Sequence, residues 1–339
     1  MQTIQTAIKK QVNAVGFSPD GGTLAAHGIG GVELIKLADA SQTQIPSPRS
    51  KHLSILEFDT LGRWFYLAGL IEGSGLYSFA TNTWQHLPGS EYDQHILSLS
   101  RTNDGSRFAV SRGGIRDNRI ECWNIAPDGK FSFAWTVRKP KAAPRSAATT
   151  LMDIEAVLMA EFGLRGSSLE GEGWFTHGVA FSHDNATLAA VGRTSGFMRT
   201  GSQSLRLYAA EDGKLVSEAG EFPDDLHFRL MFTPDGSGIL GCADRWMRLL
   251  GRDGKLIAEL TLTHNKASIL GTAIHPSGRW VGTVGRDGCV NCLSLPDLKP
   301  LKVYKWGVGK LYSVAFSPDG TLAAAGSDTG KVIVWDVDV

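Results

Sequence analysis

Short apolar segments alternate with polar turns at a regular interval along the whole chain. Near the amino end, residues 15–21 read Val-Gly-Phe-Ser-Pro-Asp-Gly, and near the carboxyl end, residues 314–320 read Val-Ala-Phe-Ser-Pro-Asp-Gly. Weaker copies of this phrase are anchored at Phe58, Leu99, Phe181, Phe232 and Ile274. A period of about forty residues predicts that one supersecondary unit is used repeatedly.

The last copy shows what each unit contains. Residues 310–316 are apolar enough for a buried strand, and residues 317–320 supply Pro, Asp and Gly for a tight turn. Residues 322–325 form a second strand of small side chains, and residues 331–336 form a third, β-branched strand. The middle units add a more polar fourth strand, such as residues 256–263. Four antiparallel strands per period, repeated radially, predict an all-β fold, a β-propeller of four-stranded antiparallel blades.

Seven anchors predict seven blades in a single domain, residues 1–339. The last unit reaches Val339 after only three strands, whereas Thr3 to Ile8 reads as a strand that precedes the first unit. We therefore expect the ring to be closed by the N-terminal strand, which would complete the last blade and remove two free edges.

The interval between Leu99 and Phe181 is twice the period, so an eighth blade is an alternative. Residues 138–173 within this interval lack Asp-Gly turns and strand alternation. A capping pattern begins at Thr150, and apolar residues follow it at helical spacing. We expect a helical insertion between blades 3 and 4, packed either on the propeller or on a partner.

Residues 334–336, Val-Trp-Asp, and the two Ser-Pro-Asp-Gly turns carry a family resemblance. The chain resembles the WD-repeat family of β-propellers over nearly its whole length, with degenerate repeats. The matching dipeptides elsewhere are Trp123-Asn124, Tyr208-Ala209 and Leu293-Ser294. The resemblance implies a propeller whose function is interaction with other proteins.

Composition narrows the class of protein. Lys and Arg together number 34, as do Asp and Glu, so the chain lacks the basic field that general nucleic-acid binding needs. No segment is apolar enough for a signal peptide or a membrane span. Four cysteines in 339 residues do not make a disulfide scaffold. We expect a cytoplasmic protein that binds no membrane.

Candidate chemistry is sparse in the sequence. Cys289 and Cys292 lie three apart on a predicted strand, where they point to opposite faces and are better explained as buried thiols. The nine histidines show no metal-ligand spacing, and no nucleophile elbow, phosphate loop or dinucleotide fingerprint occurs in context. We therefore expect no catalytic residues, no metal and no cofactor.

Arginines concentrate in the connections between second and third strands, which emerge on one face of a propeller. The fourth blade's connection is longer and adds two apolar side chains. Arg, Met and aromatic residues are enriched in binding surfaces, although a solvated loop is the alternative. The predicted partner-binding residues are Arg112, Arg116, Arg193, Phe197, Met198, Arg199, Arg245, Trp246 and Arg286.

These observations predict a non-catalytic scaffold that binds a protein partner, possibly acidic, through this face. The propeller itself is expected to be monomeric within a larger complex. The alternative is an enzyme or small-ligand binder that uses the mouth of the central channel. Binding to a nucleic-acid backbone is the least favoured hypothesis, and strong salt dependence would distinguish it.

Overall fold

A computed structural model describes residues 1–45, 55–68, 74–88, 95–113, 118–138, 175–193, 202–223, 229–262 and 268–338. Within these ranges the regular structure is entirely β-strand, arranged as seven sheets of four antiparallel strands. The prediction of an all-β, seven-bladed propeller is confirmed. The predicted helical insertion lies outside the described residues, apart from Arg138, which ends a strand.

Each blade uses consecutive strands, apart from the last, which combines both ends of the described chain. The strands are β1 Gln2–Gln5; blade 1, β2 Val12–Phe17, β3 Thr23–Gly28, β4 Gly31–Lys36, β5 Gln42–Ile45; blade 2, β6 Ile55–Phe58, β7 Trp64–Ala68, β8 Gly75–Ser78, β9 Thr83–His86; blade 3, β10 His95–Arg101, β11 Arg107–Gly113, β12 Arg119–Ile125, β13 Phe131–Arg138; blade 4, β14 Phe175–Phe181, β15 Thr187–Arg193, β16 Ser202–Ala209, β17 Leu215–Pro223; blade 5, β18 Arg229–Phe232, β19 Gly238–Ala243, β20 Trp246–Gly251, β21 Leu256–Thr261; blade 6, β22 Ile269–Ile274, β23 Trp280–Gly285, β24 Cys289–Ser294, β25 Pro300–Lys305; and blade 7, β26 Leu311–Phe316, β27 Leu322–Ser327, β28 Lys331–Asp336.

The Ser-Pro-Asp-Gly turn is a hydrogen-bonded unit. In blade 7, the Ser317 hydroxyl donates to Asp319 Oδ1 over 2.6 Å and accepts the Leu322 backbone N–H over 2.9 Å. Gly320 has φ 75°, a conformation that a residue with a Cβ rarely adopts. The sequence phrase recurs because each first strand must reverse direction into the second within four residues.

The sequence suggested Leu99 as the anchor of the third copy. In the structure, Arg101 occupies the position of the anchor. The anchors Phe17 and Phe316 pair with Leu24 and Ala323, the second residues of the second strands. In blade 3 the residue in this register is Arg101, opposite Phe108. A search for apolar anchors misses this position because a charged side chain replaces the aromatic one.

The core consists of layers between neighbouring blades. Between blades 1 and 2, for example, Ala25 and Val32 pack against Phe58, Phe65 and Leu67. Among the described residues, seven such clusters lie between consecutive blades, including one between blade 7 and blade 1. Small residues on the second strands let the sheets approach closely, which gives the blades their apolar contact area.

The strand β1 is the fourth strand of the last sheet. It pairs antiparallel with β28, with Gln2 opposite Val334 and Gln5 opposite Lys331. The Thr6 hydroxyl beyond it donates to the Gly330 carbonyl over 2.6 Å, and Ile4 is buried. The strand is shorter than the segment from Thr3 to Ile8 that the sequence predicted.

Burial is greatest in the second strands and falls from there to the rim of the propeller, while the first strands around the channel are only partly buried. Every residue of the second strands β19 and β23 is buried, whereas no residue of the outer strands β21 and β25 is. Leu256 and Val303, on these outer strands, are more than half exposed. No helix in the described ranges is long and apolar enough to cross a membrane.

The connections between strands alternate between two faces because consecutive antiparallel strands run in opposite directions. We call the face with the second-to-third and fourth-to-first connections the loop face; its well-described parts are residues 29–30, 244–245, 286–288, 306–310 and 328–330. The opposite face is the turn face; it includes residues 18–22, 126–130, 210–214, 252–255, 295–299 and 317–321.

Candidate functional site

The loop face carries the arginines that the sequence singled out, but only some are described. Arg245 and Arg286 are exposed at the connections β19–β20 and β23–β24. Arg193 ends β15, and its side chain is not described. The remaining members of the predicted set that fall outside the described residues are Arg116, Phe197, Met198 and Arg199.

Arg112 is fully buried and belongs to an internal charge cluster. Its Nε lies 2.7 Å from Glu121 Oε2, and Arg119 Nε lies 2.5 Å from Glu121 Oε1. Arg112 also donates to the Pro88 carbonyl. Burial raises the pKa of Glu121, but the charges and hydrogen bonds of the two arginines hold it below its usual value. These arginines join strands β11 and β12 of blade 3 through Glu121, and they offer no exposed charge.

Trp246 is also buried, at the start of β20. Its ring stacks on Phe222 of blade 4, with ring centroids 5.8 Å apart and planes 20° apart. This contact places Trp246 in the core between blades 4 and 5. Arg112 and Trp246 therefore have no surface through which they could contact a partner.

A basic hollow lies on the loop face between blades 6 and 7. We define it by Arg286, Lys305 and Lys310, with Asp287 and Asp328 beside them. Its volume is about 350 Å³. The two lysines flank the connection β25–β26, which reaches the same face as the β23–β24 connection. Sequence reasoning missed the two lysines because it searched only second-to-third connections for basic residues.

The carboxylates of this hollow bind backbone groups. Asp328 Oδ1 accepts the Lys310 backbone N–H over 3.1 Å, and Asp287 Oδ1 accepts that of Cys289 over 3.1 Å. No salt bridge between described residues involves Arg245 or the three cations of the basic hollow. These cations are therefore available to a ligand.

The turn face has a different charge arrangement. Its lysines each pair with an aspartate two residues earlier in the same turn. The pairs are Lys130–Asp128 at 2.8 Å, Lys214–Asp212 at 2.5 Å, Lys255–Asp253 at 2.9 Å and Lys299–Asp297 at 3.3 Å. Exposed pairs of this kind add little stability, but they leave these four turns locally neutral.

A central channel of about 660 Å³ runs between the first strands of the blades. Small and apolar residues such as Gly16, Ala273 and Ala315 form much of its wall. The charged side chains among its described lining residues are Glu57, Arg101 and Arg229. The channel is therefore polar at a few positions and carries one excess positive charge within the described wall.

The described residues contain no group of three or more His, Cys, Asp or Glu side chains that could hold a metal ion. Cys122, Cys242, Cys289 and Cys292 are free and buried. Burial raises the pKa of the Cys122 thiol to about 12, which leaves it protonated and unreactive near neutral pH. The interpretation of Cys289 and Cys292 as buried thiols is confirmed.

Residues 298–336 match the family model described as WD domain, G-beta repeat. The match begins just before the outer strand of blade 6 and continues through the three blade 7 strands β26, β27 and β28. One repeat of this family thus spans two blades, so the last blade takes its outer strand from elsewhere in the chain. The matched repeat and the seven four-stranded blades together identify the chain as a WD-repeat propeller.

Proposed function

We propose that this propeller is a non-catalytic scaffold that binds an acidic protein partner through its loop face. The observation that carries the proposal is the charge contrast between the two faces. Arg245, Arg286, Lys305 and Lys310 have no salt bridge with the described residues, whereas the turn-face lysines are paired within their own turns. WD-repeat propellers generally mediate protein–protein interactions, which supports this reading.

The unpaired cations supply both attraction and geometry. A guanidinium donates two parallel hydrogen bonds to a carboxylate, and an ammonium adds a point charge. Complementary charge also speeds the encounter between two proteins. Arg193 at the end of β15 is proposed to extend the same surface together with residues outside the described ranges, namely Arg116, Phe197, Met198 and Arg199, with Phe197 and Met198 as apolar anchors.

The test compares two triple variants of equal charge change. The loop-face variant carries Arg245→Glu, Arg286→Glu and Lys310→Glu, and the turn-face control carries Lys130→Glu, Lys214→Glu and Lys255→Glu. Tagged proteins are recovered from the native cell, and their bound proteins are quantified by mass spectrometry. We expect the loop-face variant to lose its main partner by at least about tenfold, since central interface residues dominate binding energy. Loss in the control variant alone would overturn the proposal.

A non-catalytic role predicts that the purified protein carries no stoichiometric transition metal. WD-repeat propellers are generally non-catalytic scaffolds. Elemental analysis of protein from the native source measures the metal content directly, and a molar equivalent of zinc or iron would contradict this part of the proposal.

We also propose that the pairing of β1 with β28 is what holds the ring shut, in one propeller domain that is monomeric outside its complex. A reducing compartment, the cytoplasm, is proposed from the four free buried cysteines. Light scattering of the purified protein tests the monomer, and cell fractionation tests the compartment.

A further inference from the structure

Two of the three charged side chains on the described channel wall form a salt bridge with each other. Arg101 Nε of blade 3 lies 3.9 Å from Glu57 Oε2 of blade 2. Burial raises the pKa of Glu57 above its usual value, and the nearby Arg101 charge offsets this rise only in part. Each of these two groups therefore offsets the other, and Glu57 is not left over to neutralise a further cation.

Arg229 is the remaining charged group of the described channel wall, and it has no carboxylate partner among the described residues. Its one hydrogen bond runs from Nη2 to the Leu270 carbonyl oxygen over 3.0 Å. Burial lowers the pKa of this guanidinium, as expected for a cation surrounded by protein. The residue is half-buried, and an unpaired charge in such surroundings is costly, so an anion beside it would stabilise it.

Two hydroxyl groups on the channel wall have unused hydrogen-bonding capacity. Thr272 Oγ1 accepts the thiol hydrogen of Cys242 over 3.3 Å, and its own hydrogen has no acceptor among the described residues. Ser313 Oγ is buried and has no hydrogen-bond partner in the described structure. Both residues line the channel, but the Ser313 hydroxyl is shielded from solvent and the Thr272 hydroxyl contacts the buried Cys242. The guanidinium of Arg229 is therefore the group on the described wall that can hold an oxyanion.

We propose that the central channel binds a small oxyanion, a carboxylate or a phosphate, with Arg229 as its principal ligand. A single negative charge would balance the excess charge of the described wall. The channel volume of about 660 Å³ also leaves room for bridging water, since a water occupies roughly 30 Å³. This site is separate from the loop face, so it does not depend on the proposed partner binding.

The test measures anion binding to the full-length protein by titration calorimetry and thermal unfolding. Sodium phosphate and sodium acetate are compared with sodium chloride at equal ionic strength. We expect one saturable site for at least one of the two oxyanions, with a rise in the melting temperature, because a ligand that binds only the folded state stabilises it. The anion that binds identifies the class, phosphate or carboxylate.

Two variants and one control assign the site. Arg229→Gln removes the charge with little change in volume, and we expect it to weaken binding at least about tenfold. Arg229→Lys keeps the charge but loses the planar fork, so it should bind the anion more weakly than the native protein does. If the glutamine variant fails to fold, the lysine variant still tests the site. Arg286→Gln, on the loop face, should bind the anion normally.

The proposal is overturned if the native protein binds neither oxyanion at a saturable site, or if the folded Arg229 variants bind as tightly as the native protein. It is also overturned if Arg286→Gln abolishes binding, because the anion would then occupy the basic hollow. Failure of the channel site leaves partner capture by the loop face unaffected, so the two proposals fail separately.

Discussion

Glu121 shows how one carboxylate fixes two arginines inside blade 3. Arg112 and Arg119 both reach it, and the three side chains are almost completely buried. A buried pair loses most when one partner is removed, because the other charge stays buried without a counter-ion. The cluster therefore matters more for stability than any exposed pair on the turn face.

Replacing Glu121 by Gln is expected to destabilise the protein by about 3 kcal/mol, since it removes the carboxylate charge that both buried guanidinium groups contact. The matched control is Glu259→Gln, which breaks an exposed pair with Arg248 at 2.6 Å. That control should cost less than about 1 kcal/mol. Urea unfolding gives both values, and equal losses would contradict the assignment.

The buried His27, on β3, binds a proton with a different affinity in the folded protein than in the unfolded chain. The side chain is fully buried, and neither ring nitrogen has a hydrogen-bond partner among the described residues. Burial lowers the pKa of His27 from 6.5 to about 4, because the protonated ring would be a buried charge. The unfolded chain thus takes up a proton at a higher pH than the folded chain does.

Stability should therefore fall as the pH drops from 6.5 towards 4, by up to about 1.4 kcal/mol per pH unit from this group. Above pH 6.5 both states hold a neutral ring, and below pH 4 both are protonated, so the slope vanishes outside the window. His27→Gln should flatten the dependence in chemical-denaturation measurements at pH 7 and pH 5. The control, His86→Gln at an exposed position on β9, should keep the native slope.

At the scale of elements, the repeat could be predicted because each turn needs the same small set of residues. Ser, Pro, Asp and Gly recur where the first strand must reverse, and their hydrogen bonds and positive φ explain the pattern. The anchor at Arg101 could not be found, since an apolar search does not detect a charged residue in the aromatic position.

The strand β1 is an element whose removal tests ring closure. Deleting residues 1–10 removes the pairing with β28 and exposes Val332 and Val334, which Ile4 and Ile8 cover. We expect a lower melting temperature and association through the freed edge of blade 7. Scanning calorimetry and light scattering provide the measurements.

The control for this deletion is the double substitution Gln2→Ala and Gln5→Ala, which alters two exposed side chains and keeps the strand. It should remain monodisperse with nearly native stability. A truncated protein that melts at the native temperature and stays monomeric would show that β1 is dispensable for the ring.

At the scale of the whole molecule, zero net charge conceals an uneven distribution. The sequence total of 34 basic and 34 acidic residues argues only against a general basic field. Which cations are paired depends on three-dimensional neighbours, so the sequence does not show that Lys305 and Lys310 lack salt bridges, although their place beside a fourth-to-first connection follows from the strand pattern. The burial of Arg112 and Trp246 was equally inaccessible, because each lies at a strand end beside a predicted loop.

Binding through unpaired surface cations should weaken as salt is added. We expect the association rate with the purified partner to fall as sodium chloride rises from low to physiological concentration, because charges farther apart than about 8 Å are then screened. Surface plasmon resonance measures the rate. The turn-face triple variant should retain this salt dependence, and the loop-face triple variant should lose it.

The fall in burial from the second strands to the outer strands has a consequence for how the molecule opens. Backbone amides exchange hydrogen with solvent only when their hydrogen bonds break, and weakly packed elements break first. The outer strands β21 and β25 should therefore exchange through local fraying, while β19 and β23 should exchange only when the propeller unfolds as a whole. Exchange followed by mass spectrometry should show the highest protection in the second strands, so that β19 and β23 report the global stability and the outer strands report only local opening.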